Sequence, residues 1–584
     1  MKNQVLSSLK NYVLRYKWGY LSGFIFALFA VGFRALIPLL LRYPIDKLRA
    51  GTTIPVIAQY AALIFGSAFF AGLFRFAMRY TIAGTSRKIE YDIRNEYFAH
   101  LQTLPPAFYQ EVRTGDIMAR ATNDLNAIRN LLGPGIVNMI NTIIFSFVAI
   151  AMMLKINVRL SLLALIPFPF ISILAALMMK QIHRLFDSIQ AQFSKISAKA
   201  QENFSGIRVV KAYVQEENEI TKFQGLSHQF LVKNLELARV RSWMIAGMTL
   251  LTGLGAVIVL WIGGSMVVQG KITLGQFVAF NIYLVMLTWP TIALGWVINL
   301  YQQGTASMKR VLKVMNRRPE IRDSERTRWD IRKLRGEITF KNVSFSYPGT
   351  NRLVLKNIDL QIPEGANFGI VGGIGSGKTS LVKLLTRQYD VTEGCICIDG
   401  TDIRDIPLQV LRESFGYVPQ DNFLFSDSIQ ENIAFGIPKY SQGEIRETAK
   451  LAGIQSEIEA FPQQYETELG ERGINLSGGQ KQRMSLGRAL IKKPAVFILD
   501  DAFSAVDSGT ERQILRNLFN TFRGSTVLMI SHRISPLIGF DRIIVLDNGK
   551  IVESGTHEEL LAAGGIYADL YTRQLLQEEL KQIF

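Results

Sequence analysis

Residues 372–379 read GGIGSGKT, between a strand-like segment, Asn367–Val371, and a helical pattern from Thr379 to Gln388. This is the spacing and context of a phosphate loop. Glycine tolerates positive φ and lets a ligand approach the backbone closely. Gly372, Gly373, Gly375 and Gly377 therefore let successive N–H groups turn inward around phosphate oxygens, with Ile374, Ser376 and Ser380 completing the loop and its first helical turn. The positive end of the following helix dipole strengthens the attraction. Lys378 is placed to reach β- and γ-phosphates, and Thr379 to hold Mg²⁺ through its hydroxyl.

A second acidic element follows. Val496–Asp501, VFILDD, is an apolar strand ending in carboxylates, and Asp500 is the candidate to hold Mg²⁺ directly or through water. An apolar strand followed by aspartate is common alone; behind a phosphate loop it completes a nucleotide site. Between the two lies LSGGQ, made of Leu476, Ser477, Gly478, Gly479 and Gln480, followed by basic Lys481 and Arg483. A Ser-Gly-Gly run opening a helix offers a hydroxyl and free N–H groups to a further phosphate.

These residues lie behind a long apolar half. The 584-residue chain exceeds one ordinary domain, and 48% of it is hydrophobic, unusual for a soluble protein. A bilayer crossing needs roughly 20 apolar residues. Six segments qualify: Gly19–Leu41, Ile54–Met78, Ile136–Leu154, Leu160–Met179, Met244–Val268 and Leu274–Val297. The long polar stretches at 79–135 and 180–243 carry helical patterns and many basic residues, which places them, the N-terminus and the phosphate loop in the cytoplasm. The same rule accounts for the net charge of +17, and no basic, aromatic-interleaved strand set points to nucleic acid. The first apolar run is too long for a signal-peptide core and reads as a retained span. Arg34 sits deep in the first span, where it could line a cavity and attract an anion, and Arg75 lies near the inner end of the second. Pro38, Pro167, Pro169 and Pro290 are candidate kinks. Cys395 and Cys397 lie two apart, on one face of a strand, and imply neither zinc nor a disulfide framework.

The domain boundaries expected are an amphipathic segment at 1–18, a six-helix membrane domain at 19–304, a basic linker at 305–336, an α/β nucleotide-binding domain at 337–572 and a tail at 573–584. The α/β assignment follows from short alternating strands and helices after Glu337, with a hairpin turn at Leu546-Asp547-Asn548-Gly549-Lys550.

LSGGQ resembles the signature motif of ATP-binding cassette (ABC) transporters, and six spans fused ahead of one cassette resemble an exporter-type half-transporter. The resemblance implies further roles. The signature residues Leu476, Ser477, Gly478, Gly479 and Gln480 would face the ATP of a partner cassette. Tyr347 in FSYP matches the aromatic that stacks on adenine; Gln420 in YVPQD matches the glutamine that senses Mg²⁺ and the attacking water. Glu471 in GERG resembles the loop that contacts the membrane half. Ser504, Ala505 and Asp507 in SAVD match the loop that crosses the dimer interface, and His532 in ISHR matches the switch histidine near the γ-phosphate. Phe108–Asp124 and Gly206–Glu216 resemble the coupling segments that dock on cassettes. The implied cofactors are ATP and Mg²⁺. The implied activity is ATP-driven export of a hydrophobic or amphipathic substrate across the cell (inner) membrane, with lipid around the spans; a lipid-flipping homodimer and an ATP-gated regulator or channel subunit are the alternatives.

One residue departs from the family pattern. After the Mg²⁺ aspartate the family usually carries glutamate, which polarises the attacking water, and here the position is Asp501. Its carboxylate sits back by about one C–C bond, roughly 1.5 Å, and positioned base assistance is typically worth about 10²–10⁴-fold. The expectation is a site that binds ATP but hydrolyses it slowly, in a chain that pairs with a second half-transporter.

Overall fold

The computed structural model describes residues 2–583 except Ala50, Thr52, Asn351, Glu471, Arg472, Ile474 and Asn475. They form two compact units, Met1–Gln102 with Thr114–Arg317, and Thr103–Arg113 with Arg318–Phe584.

In chain order the first helices are α1 (Lys2–Arg15), α2 (Lys17–Arg49), α3 (Ile54–Thr103), α4 (Pro106–Glu111), α5 (Thr114–Ile156), α6 (Val158–Ser205), α7 (Ile207–Ala212), α8 (Glu216–Val268) and α9 (Leu274–Met315). Among the described residues α2, α3, α5, α6 and α8 are long and apolar enough to cross a membrane. In α9 the described apolar stretch is Leu274–Leu287, and the sequence extends it to Val297 within the same unbroken helix. Six apolar segments thus lie on six long helices.

Those helices outrun their apolar segments. The polar stretches are largely their continuations, and polar pairs join them to one another. Glu90 on α3 accepts from Arg129 on α5 at 3.2 Å. Asp124 on α5 accepts from Ser307 and from Arg310 Nε on α9, both at 2.9 Å. Lys199 on α6 pairs with Glu219 on α8. At the opposite end, Asp46 of α2 accepts from the Thr273 hydroxyl and the Gly275 N–H, both at 2.7 Å, which ties α2 to the start of α9. π turns interrupt α5 at Arg120–Asp124 and Leu131–Gly135 and α8 at Val259–Gly263. Pro38 lies inside α2 and Pro290 inside α9, while Pro167 follows a turn at Ile166 in α6.

α9 runs past residue 304 to Met315, because Met308, Val311 and Val314 keep one face buried between exposed Lys309, Arg310 and Lys313. The break between compact units falls between Arg317 and Arg318.

The second unit carries a four-stranded antiparallel sheet and a six-stranded sheet. The strands are β1 (Ile338–Phe345), β2 (Leu355–Ile362), β3 (Asn367–Gly372), β4 (Glu393–Ile398), β5 (Thr401–Asp402), β6 (Phe415–Val418), β7 (Val496–Asp500), β8 (Thr526–Ile530), β9 (Arg542–Asp547) and β10 (Lys550–Gly555). The first sheet runs β2-β1-β4-β5 and the second β10-β9-β3-β8-β7-β6. In the second, β9, β3, β8, β7 and β6 are parallel, and β10 closes the edge as the hairpin partner of β9. That hairpin turns through Asn548 and Gly549, at φ of 46° and 81°, as the Asn-Gly pair predicts. Cys395 and Cys397 share β4, unbonded.

α4 belongs to this second unit. Pro106 opens it, and Ala107 packs onto the apolar core that contains Phe345 and Tyr389. The piece that joins the cassette is therefore Thr103–Arg113, whereas Thr114–Asp124 remains in α5 and the helical unit.

Candidate active site

β3 lies centrally in the six-stranded sheet, with β8 on one side and β9 on the other. Ile370 of β3 pairs with Ile530 of β8, and Ile530 pairs with Asp500 of β7. The carboxyl ends of three parallel strands thus lie side by side, the edge where open α/β sheets bind ligands. From that edge β3 runs into the phosphate loop, β7 ends in Asp500, and His532 follows β8.

Two glycines are sterically required there. Gly372 takes φ +151°, and a Cβ on it would lie 2.1 Å from the Leu546 carbonyl oxygen. Gly377 takes φ +105°, and its Cβ would meet Leu355 at 2.7 Å. The loop then passes directly into α10 (Lys378–Leu385). Lys378 Nζ donates back to the carbonyls of Gly372 (2.9 Å) and Gly373 (2.7 Å), which holds the ammonium at the loop's mouth. Burial lowers the lysine's pKa, and the Asp500 and Asp501 carboxylates oppose that shift.

Asp500 is buried, and burial pushes its carboxyl up to about 6, against the hydrogen bond from Thr379. Thr379 Oγ1 lies 3.3 Å from Asp500 Oδ1, and Oδ2 has no hydrogen-bond partner among the described residues. A buried carboxylate oxygen left without a donor, beside a threonine hydroxyl, fits a Mg²⁺ ion.

A cavity of about 320 Å³ is lined by Tyr347, Val354, Ile374, Gly375, Ser376, Gly377, Lys378, Thr379, Ser380, Gln420, Asp500, Ile530 and His532. It gathers residues separated by nearly 200 positions in the chain. Tyr347 Oη lies 2.9 Å from Ser380 Oγ, and its ring meets those of Phe345 and Tyr389 edge-on at 4.9 and 5.2 Å.

Asp501 does not line this cavity. Its N–H donates to the Ile530 carbonyl at 2.9 Å and its φ is +53°, a left-handed conformation that aspartate tolerates better than most residues. Leu476, Ser477, Gly478, Gly479 and Gln480 also lie outside the cavity, so this chain's signature does not meet its own phosphate loop. Ser477 caps α11 (Gly478–Leu490) in a reciprocal pair: its Oγ accepts from the Gln480 N–H at 3.3 Å, and Gln480 Oε1 accepts from the Ser477 N–H at 2.8 Å. The cap engages the Ser477 and Gln480 N–H groups, while the Ser477 hydroxyl proton is not used by it. Ser477 and Gly478 are exposed, so the helix start faces outward. Gly479, the second residue of α11, is half-buried against the loop after Asp501. A Cβ at Gly479 would lie 2.7 Å from the Ala505 carbonyl oxygen, so only glycine allows that approach. Asp507 caps α12 (Ser508–Thr521) by accepting from the Thr510 N–H at 2.9 Å. Glu471 lies outside the described residues.

Four contributors, Val354, Ile530, Gln482 and Arg533, were given no role by the sequence. Val354 lines the cavity with no distinguishing signal, and Ile530 lines it as the strand-end residue that opens ISHR. Gln482 is buried on α11 among Met484, Ser485 and Leu486; it donates to Ser504 Oγ at 2.7 Å and accepts from the Ala505 N–H at 2.9 Å. A polar residue on an otherwise buried helix face was its only signal. Arg533 braces the same region, donating to the Phe503 carbonyl at 2.8 Å and to buried Glu511 at 2.6 Å.

Comparison with known proteins agrees with this geometry. Residues 20–291 match the family model of the ABC transporter transmembrane region, and residues 355–504 match the family model described as ABC transporter. The chain is 37% identical over 541 residues to the probable multidrug resistance ABC transporter ATP-binding/permease protein YheI of Bacillus subtilis, covering 92% of each. The chain belongs to the ABC transporter family. Another ABC relative is the multidrug resistance-like ATP-binding protein MdlA of Escherichia coli, 36% identical over 87% of this chain and 86% of MdlA. A solved ATP-bound bacterial Atm1-family ABC exporter superposes with a TM-score of 0.81 and 27% identity, over 95% of this chain and 99% of the other. As an ABC transporter, the chain is a multi-pass membrane protein with a cytoplasmic ATP-binding domain, an ATPase coupled to export that uses ATP and Mg²⁺.

Proposed function

We propose that this ABC transporter chain is the slowly hydrolysing half of a heterodimeric exporter of hydrophobic or amphipathic molecules. The observation that carries the reading is Asp501, where the family usually has glutamate. Asp501 follows directly on Asp500, takes the left-handed turn out of β7, and does not line the nucleotide cavity. Its shorter side chain leaves a water beside a γ-phosphate less strongly polarised.

The surrounding residues serve retention of ATP. Lys378 and the loop 372–380 hold the phosphates, Tyr347 stacks on adenine, and Thr379, Asp500 and Gln420 hold Mg²⁺. His532 lies toward the γ-phosphate. This chain's Leu476–Gln480, with Gly478 and Gly479 at the helix start, completes the partner's site. Ser504–Asp507 crosses between the cassettes, and Glu471 contacts the membrane half. ATP held here clamps the cassettes together, and hydrolysis at the partner's site resets the transporter. The names of the curated relatives, multidrug resistance proteins, support a drug-like substrate class.

The test is affinity purification from native membranes, followed by ATP turnover and substrate stimulation in liposomes. The expected result is a second half-transporter with glutamate at the matching position, and slow turnover when this chain is isolated alone. A homodimer with turnover ordinary for the family overturns the heterodimer. Loss of substrate stimulation together with ATP-dependent ion currents overturns export in favour of a gated channel.

A further inference from the structure

We propose that the membrane unit carries a site for the acidic headgroup of an anionic amphiphile, built on Arg34, Arg75 and Arg79; this rests on the export reading above and narrows its substrate class. A cavity of about 420 Å³ opens between α2, α3, α5 and α9. The stacking of Phe33 on Phe74, with centroids 5.8 Å apart, sets α2 against α3. Arg34 and Arg75 are the next residues on each helix, and both line the cavity. Arg79 follows Arg75 by one helical turn and lines the same wall. Asn138, Asn141 and Thr142 of α5 add amide and hydroxyl groups.

Charge is what marks this cavity. No carboxylate lines it, and among the described residues none of its three guanidiniums forms an ion pair. Several arginines elsewhere in the same unit are matched, among them Arg42 with Asp46, Arg129 with Glu90 and Arg310 with Asp124. Arg34 instead lies over the Phe145 ring, 5.2 Å from its centroid, a contact that orients the guanidinium without neutralising it. Arg34 lies deep in one apolar segment and Arg75 near the inner end of another, where an unmatched cation is costly and marks function. A planar guanidinium fork suits a carboxylate, sulfate or phosphate oxygen pair. Val31, Ile37, Met286 and Trp289 supply apolar wall beside the charges. Cation and apolar surface in one cavity match a molecule with an acidic head and an apolar tail.

The test uses the transporter as purified, with its partner, in phosphatidylcholine nanodiscs without ATP. The probes are 11-(dansylamino)undecanoic acid and its methyl ester, which share tail and fluorophore. The acid is expected to bind about tenfold or more tighter than the ester, the scale of a charge-assisted contact. The triple variant Arg34→Gln/Arg75→Gln/Arg79→Gln is expected to abolish that preference, Arg34→Gln alone to reduce it, and Arg34→Lys to keep most of it. Equal binding of acid and ester by the native protein, or an undiminished preference in the glutamine variants, overturns the site. Displacement of the acid by dodecyl phosphate added from water identifies a soluble amphiphile, and displacement by phosphatidic acid in the disc identifies a bilayer lipid; displacement by neither overturns the proposal. A transporter that binds the acid but moves no amphiphile overturns export alone, and one that moves neutral and cationic amphiphiles without preference for the acid overturns this site alone.

Discussion

Gln482 donates to Ser504 Oγ at 2.7 Å while its carbonyl accepts from the neighbouring Ala505 N–H at 2.9 Å. One buried amide thus fastens the helix behind Leu476–Gln480 to the loop that follows Asp501. The two motifs lie in different parts of the chain, and Gly479 lets them approach closely enough for the clamp to form.

Gln482→Ala removes these two bonds and a longer one to the Asp501 carbonyl at 3.4 Å, and leaves the Ala505 N–H without its partner. At about 1 kcal/mol for each of the two shorter bonds, the loss is roughly 2 kcal/mol. Thermal unfolding of the cassette should start earlier, and ATP turnover of the assembled transporter should fall several-fold. An unchanged melting profile together with unchanged turnover would show that the clamp carries no weight.

Asp501→Glu restores the longer carboxylate. Turnover at this chain's own site should rise roughly 10–100-fold, within the range of positioned base catalysis. Turnover is best read with the partner's site disabled, so that only this site contributes. No increase would count against Asp501 as the cause of slow hydrolysis.

Asp500→Asn removes a buried charge that lacks a partner on Oδ2. The carboxyl is raised from an ordinary 3.8 to about 6, so ionisation costs the nucleotide-free fold about 3 kcal/mol. The variant should therefore melt at a higher temperature than the native protein at pH 7 without nucleotide. It should also lose the further rise that Mg²⁺ with ATP confers on the native protein. A variant that melts lower at pH 7, or keeps the Mg²⁺-dependent rise, contradicts the assignment.

The same shift predicts a pH dependence. Because the folded pKa is raised, Asp500 contributes stability that is full below its ordinary value of 3.8 and lost as pH rises through about 6. Metal binding needs the ionised form, so the Mg²⁺-dependent rise in melting temperature should be full at pH 7.5 and fade as pH falls below 6. Without nucleotide, the difference in stability between native and Asp500→Asn proteins should shrink over the same interval. Melting curves from pH 5 to 8 for both proteins decide it; a native protein whose Mg²⁺ response is flat across pH 6 refutes the link to Asp500.

Much of this site was legible as local pattern. The phosphate loop, the VFILDD strand and the Asn548-Gly549 turn are each specified within a few residues, by backbone sterics and alternation of apolar side chains. The nucleotide cavity joins Tyr347, Gln420 and His532 to that loop, residues whose roles the sequence implied only through the resemblance. Other features had no local signature. The polar stretches carry helical patterns in the sequence, but that they continue the spanning helices and are bound to one another by Glu90, Asp124 and Glu219 is seen only in the fold. Thr103–Arg113 leaves the helical unit for the cassette through Ala107, a choice made by the apolar core it packs on rather than by helix propensity. Gln482 reads as one more surface glutamine until its burial is seen.

By itself the sequence determined which groups could do chemistry: a phosphate cradle, a Mg²⁺ carboxylate, a shortened base at Asp501, and arginines out of place in apolar spans. Those properties belong to single side chains and to backbone conformations a few residues long. Tertiary structure alone decided which groups meet. Strand register sets Asp500 level with the end of β8, whose other neighbour, β3, runs into the phosphate loop, and helix packing turns Arg34 toward the cavity that Arg75 and Arg79 also line. Such distances depend on burial and pairing summed over distant segments, and no local stretch of chain encodes them.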